Sequence, residues 1–540
     1  MTTELQVEDL DHLGIVAGII DELGLVEQIN ERLGEDPREK MSAGVAVKAM
    51  ILNGLGFVSG PLYLFETFFA GKATEHLLGE GVQASYLNDD RLARVLDGLY
   101  LSGLSETFLA CCMKAAQVSG LACRSAHLDS TSFSVSGRYA SAEAEGVIEG
   151  APVPIAITHG YSRDHRGDLK QWMMNLVCWD DGAIPAFIEL ADGNQSDKAR
   201  FAGLMQAFKA QWQFDGLYVA DGALYSADNL GLLDGMRWLS RVPLTNTVAT
   251  ELVEQLNDDA LEALEAEGYR MAQVCTSYAG VPQRWFVIES ESRLQSDLHQ
   301  WHKTLAAAQQ TAQTQLKRLC SVSFACEADA LTAAERLSKQ WSWHRLESLV
   351  VDPRKHYAKP GKPKADALPS HVSYHLTAKI VPDAEAVSRR ERRAGRFILA
   401  TNDLDVDTFS AAEALRLYKQ QQGVERGFRF LKDPLFFTSS VFLHSPERIM
   451  ALGMIMGLCL LVYNLGERQL RQALAQAQQT LPNQLGHPTQ RPTLRWIFQQ
   501  FMAVHVAILN GVKHITNLTA QRQLILQFMG ASCQKYYLLN

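Results

Sequence analysis

Along the first 118 positions apolar residues recur with the spacing of helices. Ser42 caps an apolar-periodic run from Val45 to Leu55. Residues 88–100 read NDDRLARVLDGLY, with acids at the start and Leu92, Val95, Leu96 and Leu99 on one face. This predicts a helical domain. It suits a binder of DNA ends, a contact with a second protomer or a plain scaffold, and the pattern does not choose among them. Near residue 123 the period shortens to that of strands. Ala126 to Asp129 reads as a short strand ending in an acid, and Ser134 to Gly150 as a polar loop. Residues 171–179 (QWMMNLVCW) and 183–191 (AIPAFIELA) read as partners around an Asp181-Gly182 turn. A helix over 198–211 follows, then the buried strand Leu217 to Asp221, which ends in a second acid, then a helix capped at Ser226.

The pattern breaks for about 160 residues. Arg284 to Ile288 is the clearest strand there, Leu294 to Leu319 a long helix, Asp329 to Trp341 a second, and His344 to Ile380 a set of strand-like runs. The core pattern resumes at Phe397 to Ala400. Ser410 and Glu413 form a capping box that opens a helix carrying Tyr418, Gln421, Glu425 and Lys432 at offsets of 0, 3, 7 and 14. At about 3.6 residues per turn these four share a face. The last hundred residues read as helical, with a start at Ser445-Pro446, a proline-containing loop over 481–492 and an amphipathic helix over 493–509.

Strand with Asp, hairpin, helix, strand with Asp is the order of a ribonuclease-H-like core. The expected architecture is therefore α/β: a ribonuclease-H-like mixed sheet core with an α/β insertion domain, flanked by helical N- and C-terminal regions. Residues 1–118 form the helical N-terminal domain and 119–235 the first part of the core. Residues 236–395 form the insertion, 396–435 the second part of the core with the Glu425 helix, and 436–540 the helical C-terminal region.

Composition narrows this picture. In 540 residues, 47% are hydrophobic, enough for large cores. The formal charge of −9 excludes a uniformly basic surface but not a local one. The nine cysteines form no CxxC pair, which points to reduced thiols, a cytosolic setting and no zinc site. The acidic N-terminus lacks the basic-then-apolar pattern of a secretion leader. Residues 449–465 are uncharged over 17 positions, at the short edge of a membrane span; two glycines and Asn464 within them favour a buried core helix, so no membrane is expected.

Two strand-end aspartates and one helical glutamate, Asp129, Asp221 and Glu425, are the hard oxygen donors that two divalent cations require to act on a phosphodiester. Magnesium suits this set, with manganese as the alternative ion.

With these residues in place the chain resembles the DDE transposases of bacterial insertion sequences, in the branch whose insertion domain lies between the second Asp and the Glu. The motif of that branch is Tyr, two residues, Arg, three residues, Glu, six residues, Lys. This chain keeps every spacing in Tyr418, Gln421, Glu425 and Lys432, and departs only in having Gln421 where the motif has Arg. HLDST (127–131), GYSRDHRGDLKQ (160–171), GNQSDK (193–198) and SPERI (445–449) are also similar to this branch. The resemblance covers nearly the whole chain. It implies cleavage at transposon ends to free a 3′-OH, attack of that 3′-OH on target DNA, a homodimer on double-stranded DNA, and action in the bacterial cytoplasm on nucleoid DNA. It implies phosphate contacts from Tyr418 and Lys432, with a contact from Gln421 in question. A nuclease of the same fold without strand transfer, and a DNA-binding relative retired from catalysis, are the competing readings.

DNA needs basic surface. Residues 354–396 hold 11 Lys or Arg against 4 Asp or Glu, and Arg389, Arg390, Arg392, Arg393 and Arg396 cluster at its end. Arg390 and Arg393 are the expected nucleic-acid contacts from this cluster. Trp341 and Trp343 suit core packing better than stacking on an extruded base. His165 and Arg166 lie in a polar loop whose residue types do not reveal a chemistry.

Overall fold

The computed structural model describes residues 5–57, 64–137, 139, 153–164, 166–358, 368–434, 443 and 445–539. The chain divides into two compact units: Met1–Ser240 with Ala279–Val281 and Leu415–Asn540, and Arg241–Tyr278 with Pro282–Ala414.

The first unit is built on five strands. Their spatial order is Pro185–Ala191, Lys170–Trp179, Ser125–Val135, Leu217–Ala220 and Arg237–Val242. The first three are antiparallel, and the last three are parallel. This is the ribonuclease-H-like arrangement that the acid-bearing strands predicted. The middle strand differs in length. It runs 11 residues, so Asp129 lies inside it and pairs with Leu176 on the antiparallel side. It is the parallel pairing that stops here, at Leu128 opposite Ala220. Asp129 and Asp221 are thus the next residues on two adjacent strands, at the point where the ladder between them ends.

One face of this sheet meets the helix Pro446–Gln476, which begins at a Ser445 cap whose Oγ accepts from the Arg448 N–H at 3.4 Å. The helix is long and apolar enough to cross a membrane, yet 89% of its most apolar window is buried inside the protein. Its glycines serve close approach: a Cβ at Gly453 would fall 2.9 Å from Leu190, and one at Gly457 2.8 Å from Phe108. The helices Leu13–Leu23, Ala43–Gly54, Asp89–Leu101 and Leu104–Val118 pack against it. Ser42 and Asn88 cap two of them as expected, accepting from the N–H groups of Val45 and Arg91.

The chain ends are less purely helical than the periodicity suggests. Leu5–Asp9 is a strand paired with His505–Leu509, which in turn pairs with Val512–Thr516. The helix expected over 493–509 stops at Gln500. A turn at 501–503, with Ala503 at φ 63°, ends the helix, and the Asn510-Gly511 pair, with positive φ at both residues (50° and 84°), closes a two-residue hairpin that makes 505–509 a strand. Residues 530–537 then fold back on the first helix. The Tyr537 hydroxyl donates to the Asp11 carbonyl at 2.6 Å and accepts from the Ile15 N–H at 3.2 Å.

In the second unit, Val281–Ser290 pairs antiparallel with Arg396–Thr401. The helix Glu291–Cys320 runs 30 residues. A long hairpin, His344–His356 with His371–Pro382, buries Leu376 against Leu316, Ala330 and Ala334. These elements bear out the expected mix of strands and helices. The expected loop at 134–150 lies mostly outside the described residues.

Candidate active site

Asp129 is 8% exposed. One of its carboxylate oxygens accepts from the Ser130 N–H at 2.8 Å and lies 3.6 Å from the Arg163 guanidinium. Burial pushes its carboxyl up to about 7; Arg163 pulls it back, while the charges of Asp221 and Glu425 push it further up. The three acids are therefore within electrostatic reach of one another. Asp221 is half-buried directly after its strand. Its Oδ1 accepts from the Ala223 N–H at 2.9 Å and its carbonyl accepts from the Ser240 hydroxyl at 2.8 Å, which together shape the turn.

The helix expected to carry all four motif residues is two helices, Ala411–Gln420 and Gln422–Leu431, with Gln421 at the junction. The Ser410 cap is present, accepting from Glu413 N–H at 3.2 Å. At the junction the backbone tightens: Gln421 N–H donates to Tyr418 and Val424 N–H donates to Gln421, both at 3.1 Å. Gln421 is buried. Its Nε2 donates to the Leu128 carbonyl and its Oε1 lies 3.3 Å from His127 Nδ1. Gln421, the position where this chain departs from the motif, thus ties the Glu425 helix to the Asp129 strand. Burial holds His127 down to about 4, so the ring is neutral at ordinary pH. Nδ1–H then donates to Gln421, and Nε2 accepts from the Ser125 hydroxyl at 3.1 Å.

Glu425 is exposed, with a carboxylate oxygen 3.8 Å from Arg429. Tyr418 is half-buried on the first of the two helices. Lys432 caps the second, and its ammonium donates to both oxygens of Asp164 at 3.0 and 2.9 Å. Arg163 and Asp164 belong to GYSRDHRGDLKQ, the motif whose chemistry the residue types left open. His165, between Asp164 and Arg166, lies outside the described residues.

Among the described residues no three His, Cys, Asp or Glu side chains converge closely enough to hold a metal ion. The donor chemistry nevertheless fits a hard cation. Asp129 and Asp221 bring carboxylates to neighbouring strand positions in a desolvated place, and a guanidinium already stands against one of them. Glu425 stands beside Arg429 and does not join them in a three-carboxylate cluster.

In the second unit the arginine cluster is largely committed to protein contacts. Arg396 is buried, paired with Glu289 at 2.9 Å and with Asp258, so it is no part of a basic surface. Arg393 pairs with Glu254 at 3.4 Å, and Arg390 lies over the Trp301 ring at 5.5 Å. Trp343 packs edge-on to Trp301 at 4.8 Å, and Trp341 donates to Gln315 at 2.7 Å, both in line with core packing.

Residues 5–113 match a domain of unknown function (DUF4277). No curated protein matches the chain. A cryo-EM structure of a piggyBac transposase synaptic complex with hairpin DNA is similar at 8% identity over 99% of this chain and 83% of that one, with a TM-score of 0.34. Residues 127–465, which begin two positions before Asp129 and contain Asp221, Glu425 and Lys432, match the transposase DDE domain. With more than half of its length so matched, the chain belongs to the transposase DDE domain family.

Proposed function

We propose that this protein cleaves DNA at the ends of a mobile element and joins the freed 3′-OH to target DNA, with Asp129, Asp221 and Glu425 as the catalytic carboxylates. The observation that carries this reading is the placement of Asp129 and Asp221 side by side where the parallel ladder ends, with the Glu425 helix packed on the Asp129 strand. These residues would hold magnesium, or manganese in its place; bound there, two such ions supply Lewis-acid stabilisation of the attacking and leaving oxygens. The chain's own contribution is placement. The sheet fixes the two aspartates, Gln421 fixes the start of the Glu425 helix, and Lys432 and Tyr418 face the phosphate backbone beside the cleaved bond. Arg390 and Arg393 extend the DNA contact once their present partners are exchanged for phosphates. The working form is a homodimer on double-stranded DNA, acting on the bacterial nucleoid. The domain limits at residues 118, 235, 395 and 435 are part of the same proposal.

The test is a cleavage and joining assay with labelled duplexes carrying the DNA that flanks the gene. Joined products in magnesium support the proposal. Cleavage without joining selects a nuclease of the same fold, and DNA binding without cleavage selects a relative retired from catalysis.

A further inference from the structure

Two adjacent residues of the 160–171 motif each hold one charged member of the site. Arg163 is tied to the Asp129 strand at several points. Its guanidinium donates to the Ser130 carbonyl and, at 2.9 Å, to the Ser130 hydroxyl, while its N–H donates to Ser132 Oγ at 3.4 Å. These bonds set it against Asp129 instead of leaving it in solvent. Asp164 takes Lys432 with both oxygens. The Lys432 ammonium also lies 5.5 Å from the centre of the Phe133 ring, on the same strand as Asp129. The two pairs have opposite polarity. A cation covers the acid that would take a metal, and an acid covers the cation that would take a phosphate.

Resting on the function proposed above, we infer that Arg163 and Asp164 form a charge latch, Arg163 a positioning residue that holds the Asp129 carboxylate until a divalent cation replaces it, and Asp164 a partner of Lys432 that a DNA phosphate displaces. Side-chain exposure of 21% for Lys432 and 42% for Asp164 leaves that pair open to water and to exchange. A phosphodiester presents the same charge and the same paired oxygens as the carboxylate, so it substitutes at Lys432 without an unpaired ammonium being left behind. The two residues are consecutive in the chain, so one short segment carries both pairs.

The test measures binding, not turnover. Anisotropy of a short labelled duplex carrying the element end is read in EDTA for wild type, Asp164→Ala, Lys432→Ala and the double variant. Asp168→Ala serves as a control, because Asp168 lies in the same motif and pairs with Arg166 at an exposed site. The latch requires Asp164→Ala to tighten binding by roughly three- to tenfold, Lys432→Ala to weaken it, and the double variant to match Lys432→Ala. An equal gain in the Lys432→Ala background, or from Asp168→Ala, means that only bulk charge changed and overturns the latch. Wild type that fails to bind the duplex, or Lys432→Ala that binds like wild type, overturns the functional reading and the latch with it. Manganese titration followed by electron paramagnetic resonance reads the other half: Arg163→Gln raises ion affinity and Arg163→Lys does not. Lower affinity in an Arg163→Gln variant that melts like wild type overturns the role given to Arg163.

Discussion

Gln421 donates a hydrogen bond to the carbonyl of Leu128, the residue before Asp129, and so pins the helix that carries Glu425 to the strand that carries the first acid. A single buried amide thereby sets the distance between two members of the site. Its oxygen accepts from the Nδ1–H of neutral His127, so the amide satisfies an acceptor and a donor of the strand at once. The family motif has a guanidinium at this position; here it would stand next to an imidazole that can accept through only one nitrogen.

Gln421→Ala strips partners from a buried carbonyl and a buried ring N–H. It should lower unfolding free energy by about 1–3 kcal/mol. Gln421→Arg should lose more, since it buries a donor-only cation that finds the Leu128 carbonyl as acceptor but faces the His127 Nδ1–H with another N–H. Chemical denaturation of the three proteins checks this; a Gln421→Arg variant as stable as wild type would sink the account of this position.

Asp129 gives a pH dependence of defined sign. Its carboxyl is raised from the ordinary 3.8 to about 7 in the folded chain, chiefly by burial. The folded protein therefore keeps a proton that the unfolded chain has already released. The stability contributed by this group is full below 3.8 and falls as pH rises toward about 7. Without metal, Asp129→Asn should melt roughly 2–4 °C above wild type at alkaline pH, and the gap should close as pH falls through about 7 toward 3.8. Thermal melts across that range, in a chelator, make the comparison.

Asp221→Asn and Glu425→Gln should each remove metal-dependent cleavage by at least about a hundredfold while the circular dichroism spectrum stays that of wild type. Persistent cleavage in either one would remove that residue from the site. Loss of folding in Asp221→Asn would instead trace to its turn, where Oδ1 accepts from Ala223.

Gly18 faces the returning C-terminal segment. A Cβ there would lie 2.5 Å from the Cys533 Cα and 2.6 Å from the Ser532 carbonyl, both backbone atoms that cannot swing aside. Gly18→Ala should destabilise the first unit by about 1–3 kcal/mol despite the higher helix propensity of alanine. Equilibrium unfolding followed by tryptophan fluorescence reads this directly.

What was legible in the chain was local. Ser42, Asn88 and Ser445 announced their helices because a cap bonds within three residues, and Asp129 and Asp221 announced the sheet because each follows an apolar run. The pairing of Leu5–Asp9 with His505–Leu509 was illegible because its partners are about 500 residues apart and neither is strongly patterned. The Asn510-Gly511 turn was a readable signal, overridden by an apolar run short enough to suit either period. The three acids of the proposed site were picked out by residue type and element order. Arg163, Asp164 and the burial of Gln421 were not: Asp164 and Gln421 depend on contacts more than 260 positions away, and Arg163 on a loop folding back over a strand 33 positions earlier, which spacing does not reveal.

The tuck of Tyr537 against the first helix also fixes when the protein can finish folding. Ile15 and its partner are separated by 522 positions, so the ribosome makes the first helix long before the side chain that packs on it. That helix keeps an uncovered apolar face until residues 531–537 emerge. A chain that stops short of residue 537 leaves the first helix without these two hydrogen bonds, so the first unit closes only after that residue has been made.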